Sequence, residues 1–583
     1  MPASRRLTLL LALGTSALTW AFFAAPPRGP PGIAHSRAPF DVAQTSTRGG
    51  GPGRECRAQR KNNAWGSRPG RLWQSAGTEP DVAGEVDVVP AGAGQLGDVP
   101  SGNVDRICIL GGGFGGLYTA LRLDQLPWRG HKPSITLIDK KDKFAFLPLL
   151  YEYAVGEAEL DEVAPTFNEL LAGTSISFVQ ASVLGVDLKE KEVRVAGMVA
   201  DDLDGCLISD NKDQERRLKF EELVLALGAE AAAPSVPGAM ENAIPFYTVE
   251  DSFRVKKAVR ELQASRKPFA SVTVVGGSYS GVELACNLVA RLGKEKARVT
   301  LVTSADVLPW ATEQNRGVGT ERLRDLGVEL IADVAVIHVR PGGDVVVAPA
   351  EEVRRRQREG GERGGGEEAT GVVGEEGDTP PATSPTTRTI PSDLVIWTAG
   401  SRPVSMLSSL DLPQDGRGRV VVDGLLRVGE VEGVGGASAG TKGGGVYCLG
   451  DAACVEGRDL PANAQVALQQ SDYVAWNIWA GRSGRRPLEF RYTNLGELIT
   501  LGPFDASMTT LGGRVNLSGP AAALIRRALY AVRMPTAGQR VRAATSAAAA
   551  TAFQLTGKLF QRGLGVLDGK GWGSSSDGDH DGQ

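Results

Sequence analysis

The stretch Arg106–Asp139, RICILGGGFGGLYTALRLDQLPWRGHKPSITLID, determines the predicted fold. It opens with a short apolar run, continues through the glycine run GGGFGG at the spacing G-x-G-x-x-G, and closes with a second apolar run and an aspartate. Apolar residues recur at helical spacing between the glycines and the second run. This order predicts a strand, a tight turn, a helix and a second strand, which together form a dinucleotide-binding unit.

The glycines of this unit have separate physical roles. Gly111 turns the chain tightly, Gly113 lets backbone N–H groups approach a pyrophosphate, and Gly116 lets the helix pack close to its strand. The positive end of the helix dipole then stabilises the phosphates. Asp139 stands where a carboxylate accepts hydrogen bonds from an adenosine ribose. The alternative is a glycine-rich turn in some other α/β protein.

Composition and charge exclude several classes of protein. The chain has 583 residues, enough for two or three domains, and its 42% hydrophobic content supports a large core. A formal net charge of −4 argues against nucleic-acid binding, which needs a basic face. The 6 cysteines form no C-x-x-C pair and the 4 histidines lie in no motif, so neither a metal site nor a catalytic triad is predicted. This usage of cysteine indicates a reducing compartment.

Residues 1–103 are predicted to be a targeting segment and linker. An arginine pair, the apolar run Leu7–Phe23 and two alanines follow the pattern of a secretory signal peptide, with an uncleaved membrane anchor as the alternative. The next stretch, Pro26–Gly77, is rich in Arg, Ser, Gly and Pro and resembles a transit peptide. Together they resemble the bipartite targeting sequence of plastid proteins in algae whose plastid is enclosed by extra membranes. A mitochondrial presequence fits less well, because the first apolar run is too long.

A second dinucleotide unit is predicted where VTVVGGSYSGVELA is followed by VTLVT. Its glycine turn has Gly276 and Gly281, but Ser278 stands at the middle position. The second strand ends in Thr303 instead of the acid that accepts the ribose 2′-OH of NADH and repels the 2′-phosphate of NADPH. We therefore expect NADPH, or both cofactors, and Arg316 could pair with the phosphate. The alternative is a degenerate site that binds nothing.

The chain is predicted to leave the first unit, build the second, and return. Apolar strands end at Gly228 and at Gly400, and a third strand ends in Gly450-Asp451. A strand ending in Gly-Asp after a second unit resembles the FAD-binding Gly-Asp of flavoproteins with two dinucleotide domains.

The predicted fold class is α/β, with two Rossmann-like dinucleotide-binding domains and a C-terminal amphipathic region. Residues 200–218 are polar and charged and are predicted to form a loop, whereas the glycine-rich, charged residues 341–390 are predicted to be a disordered insertion. The expected domains are the targeting segment at 1–103, the first part of an FAD-binding domain at 104–245, an NAD(P)H-binding domain at 246–400, the second part of the FAD-binding domain at 401–500, and a membrane-associating region and tail at 501–583.

Two glutamines on one predicted helix are candidates for binding the electron acceptor. Gln465 and Gln469 are four residues apart and so share a helix face. A glutamine side chain can both donate and accept, which suits a quinone carbonyl near a flavin. The alternative is a solvated helix face.

The order of these motifs resembles that of the type II, non-proton-pumping NAD(P)H:quinone oxidoreductases. The sequence is most similar to their plastid C-type branch. The resemblance covers roughly 104–510, without the N-terminal segment and the insertions. It is carried by GGGFGGLYTALRL, PLLYE, LALGAE, FYTVEDSFRV, GSYSGVELA, VIWTAGSRP, LGD, AQVALQQSDYVAWNIWA and NLGELITLG. Ala464-Gln465-x-Ala467-x-Gln469 is the most specific marker, because it resembles the quinone-site motif of that family.

The resemblance implies two cofactor sites and a quinone site. The residues implied for FAD are Gly111, Gly113, Phe114, Gly115, Gly116, Asp139, Lys140, Gly228, Gly450, Asp451, Gln465 and Val466. Those implied for NAD(P)H are Gly276, Ser278, Gly281, Glu283 and Gly400. Glu283 would lie near the nicotinamide, although an acid at a helix start is also favoured by the helix dipole alone. The implied catalytic residues are Glu283, Gln465 and Gln469.

The C-terminal region is predicted to contain an amphipathic helix at 521–534. Leu524, Ile525, Ala528, Leu529 and Val532 would share one face, with the arginines elsewhere around the helix. A second alanine-rich stretch runs from 541 to 560, and no apolar span of about 20 residues follows the N-terminal segment. Such a helix can lie in a membrane interface and admit a lipophilic quinone. The alternative is packing on its own domain or on a homodimer partner.

The resemblance implies hydride transfer from NAD(P)H to FAD, followed by transfer of two electrons to a prenylquinone such as plastoquinone. A disulfide reductase on the same scaffold would need a close cysteine pair, which is absent from the sequence. A ferredoxin reductase and a non-catalytic flavoprotein similar to apoptosis-inducing factor are the remaining alternatives. The expected location is the plastid, peripheral on the thylakoid or plastoglobule surface, with the mitochondrion as the alternative.

Overall fold

A computed structural model describes residues 105–200, 208–232, 236–265, 267–363, 387–429 and 445–545. All of them belong to one compact unit that spans 91–583. The predicted targeting segment at 1–103 and most of the alanine-rich stretch 541–560 lie outside the described residues.

The strands are numbered here in chain order. They are β1 Arg106–Leu110, β2 Ser134–Asp139, β3 Ile176–Asp187, β4 Glu192–Ala200, β5 Ile208–Lys219, β6 Glu222–Leu225, β7 Ala229–Ala231, β8 Ile244–Pro245, β9 Ala270–Val275, β10 Ala297–Val302, β11 Glu329–Ile331, β12 Val334–Val339, β13 Val345–Pro349, β14 Arg388–Ile390, β15 Leu394–Trp397, β16 Ser401–Pro403, β17 Val420–Val422, β18 Val446–Cys448, β19 Ala453–Val455, β20 Gly496–Thr500, β21 Ala506–Thr510 and β22 Val515–Ser518.

The α-helices are numbered in the same way. They are α1 Phe114–Gln125, α2 Leu150–Ala154, α3 Leu160–Val163, α4 Phe167–Leu170, α5 Ala239–Asn242, α6 Val249–Ala264, α7 Tyr279–Leu292, α8 Glu313–Leu326, α9 Ala350–Arg363, α10 Ala464–Arg482 and α11 Pro520–Arg533.

The first large sheet has the strand order β18-β6-β1-β2-β3-β4-β5. Its strands from β18 to β3 are parallel, and β4 and β5 add an antiparallel edge. Every residue of β1 is buried, as expected for a central parallel strand covered on both faces. Because β18 pairs with β6, the chain re-enters this sheet after completing the second one.

The second large sheet is parallel throughout, in the order β11-β10-β9-β15-β8. Its central strand β9 is followed directly by a glycine turn and by α7, whose side chains from Gly281 to Val289 are all buried. Dinucleotides bind beyond the carboxyl ends of strands in such sheets, so both large sheets present a glycine turn at the edge where a cofactor is held.

Residues 208–219 form strand β5, so the loop predicted for 200–218 is wrong for them. Charged residues pair across the ladder, since Glu192 on β4 lies 3.0 Å from Lys219 and 3.6 Å from Arg217. Opposite charges on neighbouring strands stabilise a sheet, and an analysis based on hydrophobic pattern misses a strand that is mostly polar.

The insertion predicted to be disordered at 341–390 is ordered at both of its ends. Strands β12, β13 and β14 form an antiparallel sheet, and α9 follows β13 directly. The short run Val345–Val347 and Ile390 are buried in this sheet, while α9 carries an i,i+4 ion pair between Glu352 and Arg356 at 2.5 Å. Residues 364–386 lie outside the described part of the chain.

Helix α11 packs on the antiparallel sheet β20-β21-β22. Ile525 and Leu529 face that sheet, whereas Leu524 is 53% exposed and Val532 is 36% exposed. The residues of the predicted apolar face therefore divide between the core and the surface. Arg526, predicted to lie elsewhere around the helix, is 3% exposed.

Candidate functional site

The first glycine turn has the contacts that a dinucleotide-binding turn requires. Gly111 has φ +100°, and a Cβ atom built on Gly116 would lie 1.8 Å from the carbonyl oxygen of Gly111. Helix α1 can therefore approach β1 only because residue 116 has no side chain. A Cβ on Gly113 would meet nothing within 4 Å, so the space above the start of α1 is open. An open space at a helix N-terminus fits a pyrophosphate.

Asp139 lies at the end of β2 beside this turn. Its carboxylate accepts from the backbone N–H of Gly112 at 2.6 Å and from that of Lys141 at 2.8 Å. Burial raises the pKa of Asp139 above its usual range, although these two hydrogen bonds oppose the rise. The carboxylate thus orders the turn, and its remaining lone pairs are available to ribose hydroxyls. Lys140 is exposed next to it.

The side chain of Phe114 contributes to packing at the start of α1. It is 8% exposed and lies edge-on to Phe144 and Phe146, with ring centroids 5.2 and 5.5 Å away. Gly115 allows close approach to Leu449, because a Cβ there would lie 2.9 Å from the leucine Cδ1. These two residues pack against the core, while their backbone lies at the N-terminus of α1, next to the open space.

The returning strand β18 brings a second set of groups to the same edge. Gly450 has φ +72°, and its N–H donates to Oε1 of Gln470 at 2.6 Å. Asp451 has no protein hydrogen-bond partner among the described residues, and burial raises its pKa. A carboxylate without a protein partner, next to an open dinucleotide turn, fits the hydroxyls of a ribitol chain. Gly228, with φ +67°, ends the neighbouring strand region.

The second glycine turn repeats this geometry. Gly276 has φ +120°, and a Cβ on Gly281 would lie 1.7 Å from the Gly276 carbonyl oxygen. Ser278 is the N-cap residue of α7, and its side chain makes no capping hydrogen bond. A Cβ on Gly277 would lie 2.5 Å from Oγ1 of Thr303, so the threonine packs directly against the turn. The residues present therefore fit a second dinucleotide.

Arg316, predicted as a phosphate partner, has a different role in the structure. Its guanidinium donates to the carbonyl oxygens of Leu308 at 3.2 Å, Pro309 at 3.0 Å and Ala311 at 3.4 Å. These bonds hold the loop that follows β10. Gly400 has φ +81° at the exit from the second sheet.

The two dinucleotide units meet at α2 and α7. Tyr151 of α2 donates its hydroxyl to Oγ of Ser280 at 3.2 Å, and burial and the negative charge of Glu283 raise the pKa of Tyr151. Glu283 is 7% exposed, and its Oε1 accepts from the backbone N–H of Thr500 at 2.9 Å. Burial raises the pKa of Glu283 to about 8. A carboxyl with that pKa can hold a proton at neutral pH and release it when the local charge changes.

A buried ion pair next to this junction was missed from the sequence. Arg526 of α11 donates to Glu152 of α2, and their side chains are 4% and 5% exposed. The positive charge of Arg526 lowers the pKa of Glu283 and so opposes the effect of burial. Glu152 lies within the PLLYE motif, but nothing in the local pattern indicates that its partner is on a C-terminal helix.

The two predicted quinone-site glutamines lie at the start of α10 and bind the segment that leads into β20. Gln465 accepts from the N–H of Leu495 at 3.0 Å and from the hydroxyl of Tyr492 at 2.9 Å. Gln469 makes a pair of hydrogen bonds with the backbone of Thr493, at 2.8 and 3.0 Å. Both side chains are therefore partly exposed but held by hydrogen bonds to the protein. Val466 donates its N–H to the capping side chain of Asn463 at 2.9 Å.

Cysteine chemistry has no support in the described part of the chain. Cys108, Cys286 and Cys448 are buried and free, and burial raises the pKa of each thiol to about 12. A thiol with so high a pKa is not a nucleophile near neutral pH. In the described ranges there is also no helix long and apolar enough to cross a membrane.

Two dinucleotide units that meet and a returning Gly-Asp strand define a class: flavin- and nicotinamide-dependent oxidoreductases. The cysteines of the described ranges are free and form no disulfide. Comparison with known proteins agrees. The family model described as pyridine nucleotide-disulphide oxidoreductase matches residues 105–471. The chain is 36% identical over 439 residues to demethylphylloquinone reductase NdbB of Synechocystis, covering 74% of this chain and 92% of that protein.

A second relative is the alternative NAD(P)H-ubiquinone oxidoreductase C1, chloroplastic/mitochondrial, of Arabidopsis thaliana. It is 34% identical over 495 residues, which cover 81% of this chain and 85% of that protein. The solved structure of NDH2 from Plasmodium falciparum in complex with NADH is similar in fold, with a TM-score of 0.60 at 15% identity, covering 76% of this chain and 97% of the other.

The chain belongs to the pyridine nucleotide-disulphide oxidoreductase family and, within it, to the type II NAD(P)H:quinone oxidoreductases. The resemblance drawn from the sequence is confirmed, as is the α/β fold class. FAD and NAD(P)H are the cofactors of this family and fold.

Proposed function

We propose that the chain is an FAD-dependent, non-proton-pumping NAD(P)H:quinone oxidoreductase that reduces a membrane prenylquinone such as plastoquinone. The observation that carries this proposal is the junction at α2 and α7, where the Tyr151 hydroxyl donates to Ser280 next to the buried carboxyl of Glu283. This junction brings the edge of one dinucleotide unit against the edge of the other. When bound, FAD supplies a hydride acceptor that passes electrons to a quinone in pairs.

The protein holds and orients these partners with the residues of its two turns. Gly111, Gly113 and the N-terminus of α1 bind a pyrophosphate, with Asp139 and Asp451 accepting from hydroxyl groups. Gly276, Ser278 and Gly281 do the same for NAD(P)H. This assignment is supported by the open space at Gly113, by the close backbone approach at Gly116 and Gly281, and by the carboxylate of Asp451, which has no protein partner among the described residues.

Glu283 is proposed to hold a proton near the reacting groups. Quinone reduction consumes two protons as well as two electrons, so the site needs a group that exchanges protons near neutral pH. The pKa of about 8 meets this need, and the hydrogen bond from the backbone N–H of Thr500 orients the carboxyl. The positive charge of Arg526 lowers the pKa of Glu283, and the negative charge of Glu152 raises it.

Gln465 and Gln469 are proposed to act by holding the segment 492–496 against α10. Their hydrogen bonds to Tyr492, Thr493 and Leu495 support this role. A quinone carbonyl bound there would accept a hydrogen bond from a glutamine N–H group, either one that the protein leaves unused or one that it now uses for the segment 492–496.

Stopped-flow kinetics on the FAD-loaded chain test the proposal. NADPH should bleach the flavin absorbance, and a short-chain quinone should restore it. The Gln465→Ala variant should slow reoxidation by quinone about tenfold, equivalent to one or two hydrogen bonds of about 1.4 kcal/mol in total. It should leave flavin reduction within about twofold of the original chain.

Two outcomes would contradict these expectations in different ways. Bleaching without reoxidation by quinone would remove the quinone function and favour a ferredoxin reductase or a non-catalytic flavoprotein similar to apoptosis-inducing factor. Equal slowing of both half-reactions in Gln465→Ala would indicate a purely structural role for the glutamine, and Gln469→Ala is the matched variant on the same helix.

We further propose that α11 places the protein on a membrane surface. Leu524, Ala528 and Val532 follow one another at four-residue spacing on its exposed side, and Arg533 is exposed at its end. An apolar stripe beside basic residues suits the interface of an anionic membrane. Plastid targeting is proposed on the composition of residues 1–103 and on the name of the Arabidopsis relative, which describes it as chloroplastic/mitochondrial.

The membrane proposal predicts a large effect of charge on that stripe. The double variant Leu524→Glu/Val532→Glu should reduce flotation with vesicles of phosphatidylcholine and phosphatidylglycerol at least tenfold, because each buried aliphatic side chain contributes about 1.5–3 kcal/mol. Met240→Glu changes an equally exposed apolar residue on α5 and should leave flotation unchanged. Unchanged flotation of the double variant contradicts the proposal, and a shift from dimer to monomer would instead identify a protein interface.

A further inference from the structure

The carboxyl edge of the second sheet carries more groups than the glycine turn. Strands β9, β10 and β11 are parallel neighbours that end together at this edge, in register from Val275 to Val302 to Ile331. The turn at 276–281 follows β9, and Thr303 follows β10. In such a unit the residue after the second strand stands beside the adenosine ribose of the bound dinucleotide.

The residue directly after β10 carries no negative charge. Thr303 is 7% exposed, its backbone N–H donates to Ile331 at 3.0 Å, and its side chain packs against Gly277. A carboxylate at this position would accept from a ribose 2′-OH and repel a 2′-phosphate. The threonine does neither, so the position is neutral towards both dinucleotides.

A positive charge reaches this edge from a distant part of the chain. Helix α9 begins here, because the N–H of Ala350 donates to the carbonyl oxygen of Asp333, two residues beyond β11, at 2.9 Å. One turn later, Nη2 of Arg354 donates to the carbonyl oxygen of Ser304 at 2.5 Å. Ser304 is the residue directly after Thr303. The guanidinium therefore lies at the loop that borders the ribose position.

The guanidinium of Arg354 retains capacity for a ligand. Within the described ranges, Arg354 makes one hydrogen bond, to Ser304. Its side chain is exposed. Arg316, the other cation of this loop, already donates to three carbonyl oxygens. The carboxylate of Glu352 is paired with Arg356. Arg358 lies one turn beyond Arg354 on the same side of the exposed helix.

We propose that Arg354 binds the 2′-phosphate of NADPH and so selects the electron donor. This inference rests on the proposed function, because it concerns the dinucleotide of that same site. A planar guanidinium fixed at one N–H group can present its other N–H groups to a phosphate in a fork, which gives a charge-assisted contact that NADH lacks. The specificity element lies on α9, outside the glycine turn and the strand that follows it.

Direct binding to the full-length, FAD-loaded protein tests the proposal without turnover. Isothermal titration should give a Kd for 2′,5′-ADP about tenfold lower than that for 5′-AMP, which differs only in lacking the 2′-phosphate. Arg354→Ala should raise the Kd for 2′,5′-ADP about tenfold and leave the Kd for 5′-AMP unchanged. Arg356→Ala, two residues along the same exposed helix and on another side, is the matched control and should change neither value.

Stopped-flow flavin reduction separates this proposal from the proposed function. Arg354→Ala should slow reduction by NADPH at low concentration and leave reduction by NADH and reoxidation by quinone unchanged. An unchanged Kd for 2′,5′-ADP in Arg354→Ala, or equal losses in Arg354→Ala and Arg356→Ala, would overturn the role of Arg354. A failure of quinone to reoxidise the flavin would remove the proposed function and leave the binding result intact.

Discussion

Gly113→Val should yield a folded protein that retains no FAD, whereas Gly116→Ala should fail to fold stably. The two glycines are three residues apart, but a Cβ on Gly113 would meet no protein atom within 4 Å and a Cβ on Gly116 would lie 1.8 Å from a backbone oxygen. Gly113 also has φ −70°, which any residue can adopt. The valine would therefore occupy only the space left for the pyrophosphate, while the alanine would force α1 away from β1.

Flavin absorbance per protein chain after purification measures the first effect, and circular dichroism with thermal unfolding measures the second. We expect occupancy to fall at least tenfold in Gly113→Val with the secondary structure unchanged, and a cost of about 1–3 kcal/mol or more in Gly116→Ala, as for other overpacked sites. Gly281→Ala, whose Cβ would lie 1.7 Å from Gly276, is the equivalent change in the second unit. Retention of FAD by Gly113→Val would contradict the assignment of this turn.

Arg526→Met should lower the free energy of unfolding by about 3–5 kcal/mol, because it leaves Glu152 buried without its cation. The side chain of Glu152 is 5% exposed, so water cannot replace the lost partner. Chemical denaturation with saturating FAD measures the change. The double variant Glu152→Leu/Arg526→Met should recover most of the loss, since it removes both charges together.

Arg527→Met is the matched control for this pair. Arg527 is the next residue on α11, is only half-buried, and stacks over the Phe504 ring with 5.0 Å to the centroid. We expect its loss to cost no more than about 1 kcal/mol. If Arg526→Met and Arg527→Met are equally stable, the buried ion pair does not anchor α11 to α2.

The parts of the fold that depend on backbone sterics were predictable from the sequence. Gly111, Gly116, Gly276 and Gly281 are required by contacts with the backbone itself, so their spacing alone indicates the turn. Strands buried on both faces, such as β1, are recognisable as unbroken apolar runs.

The parts that depend on distant partners were not predictable. The burial of Arg526 was not predicted, because its partner Glu152 is 374 residues away along the chain. Gln465 and Gln469 share a helix face as predicted, but their hydrogen bonds go to a segment whose position no local pattern reveals. Strand β5 and helix α9 are rich in charged residues, and the pairing of β5 with β4 involves ion pairs that no apolar pattern indicates.

The pairing of β18 with β6 also sets an order of assembly for the nascent chain. The N–H of Gly445 donates to the carboxylate of Glu222 at 2.6 Å, and these residues are 223 positions apart. One edge of the first sheet therefore stays open until the whole second unit has been synthesised, and open strand edges favour association with other chains. Asp451 arrives with that last strand, so FAD can be captured fully only at the end of folding. A chain truncated before residue 445 should accumulate as an apoprotein prone to aggregation.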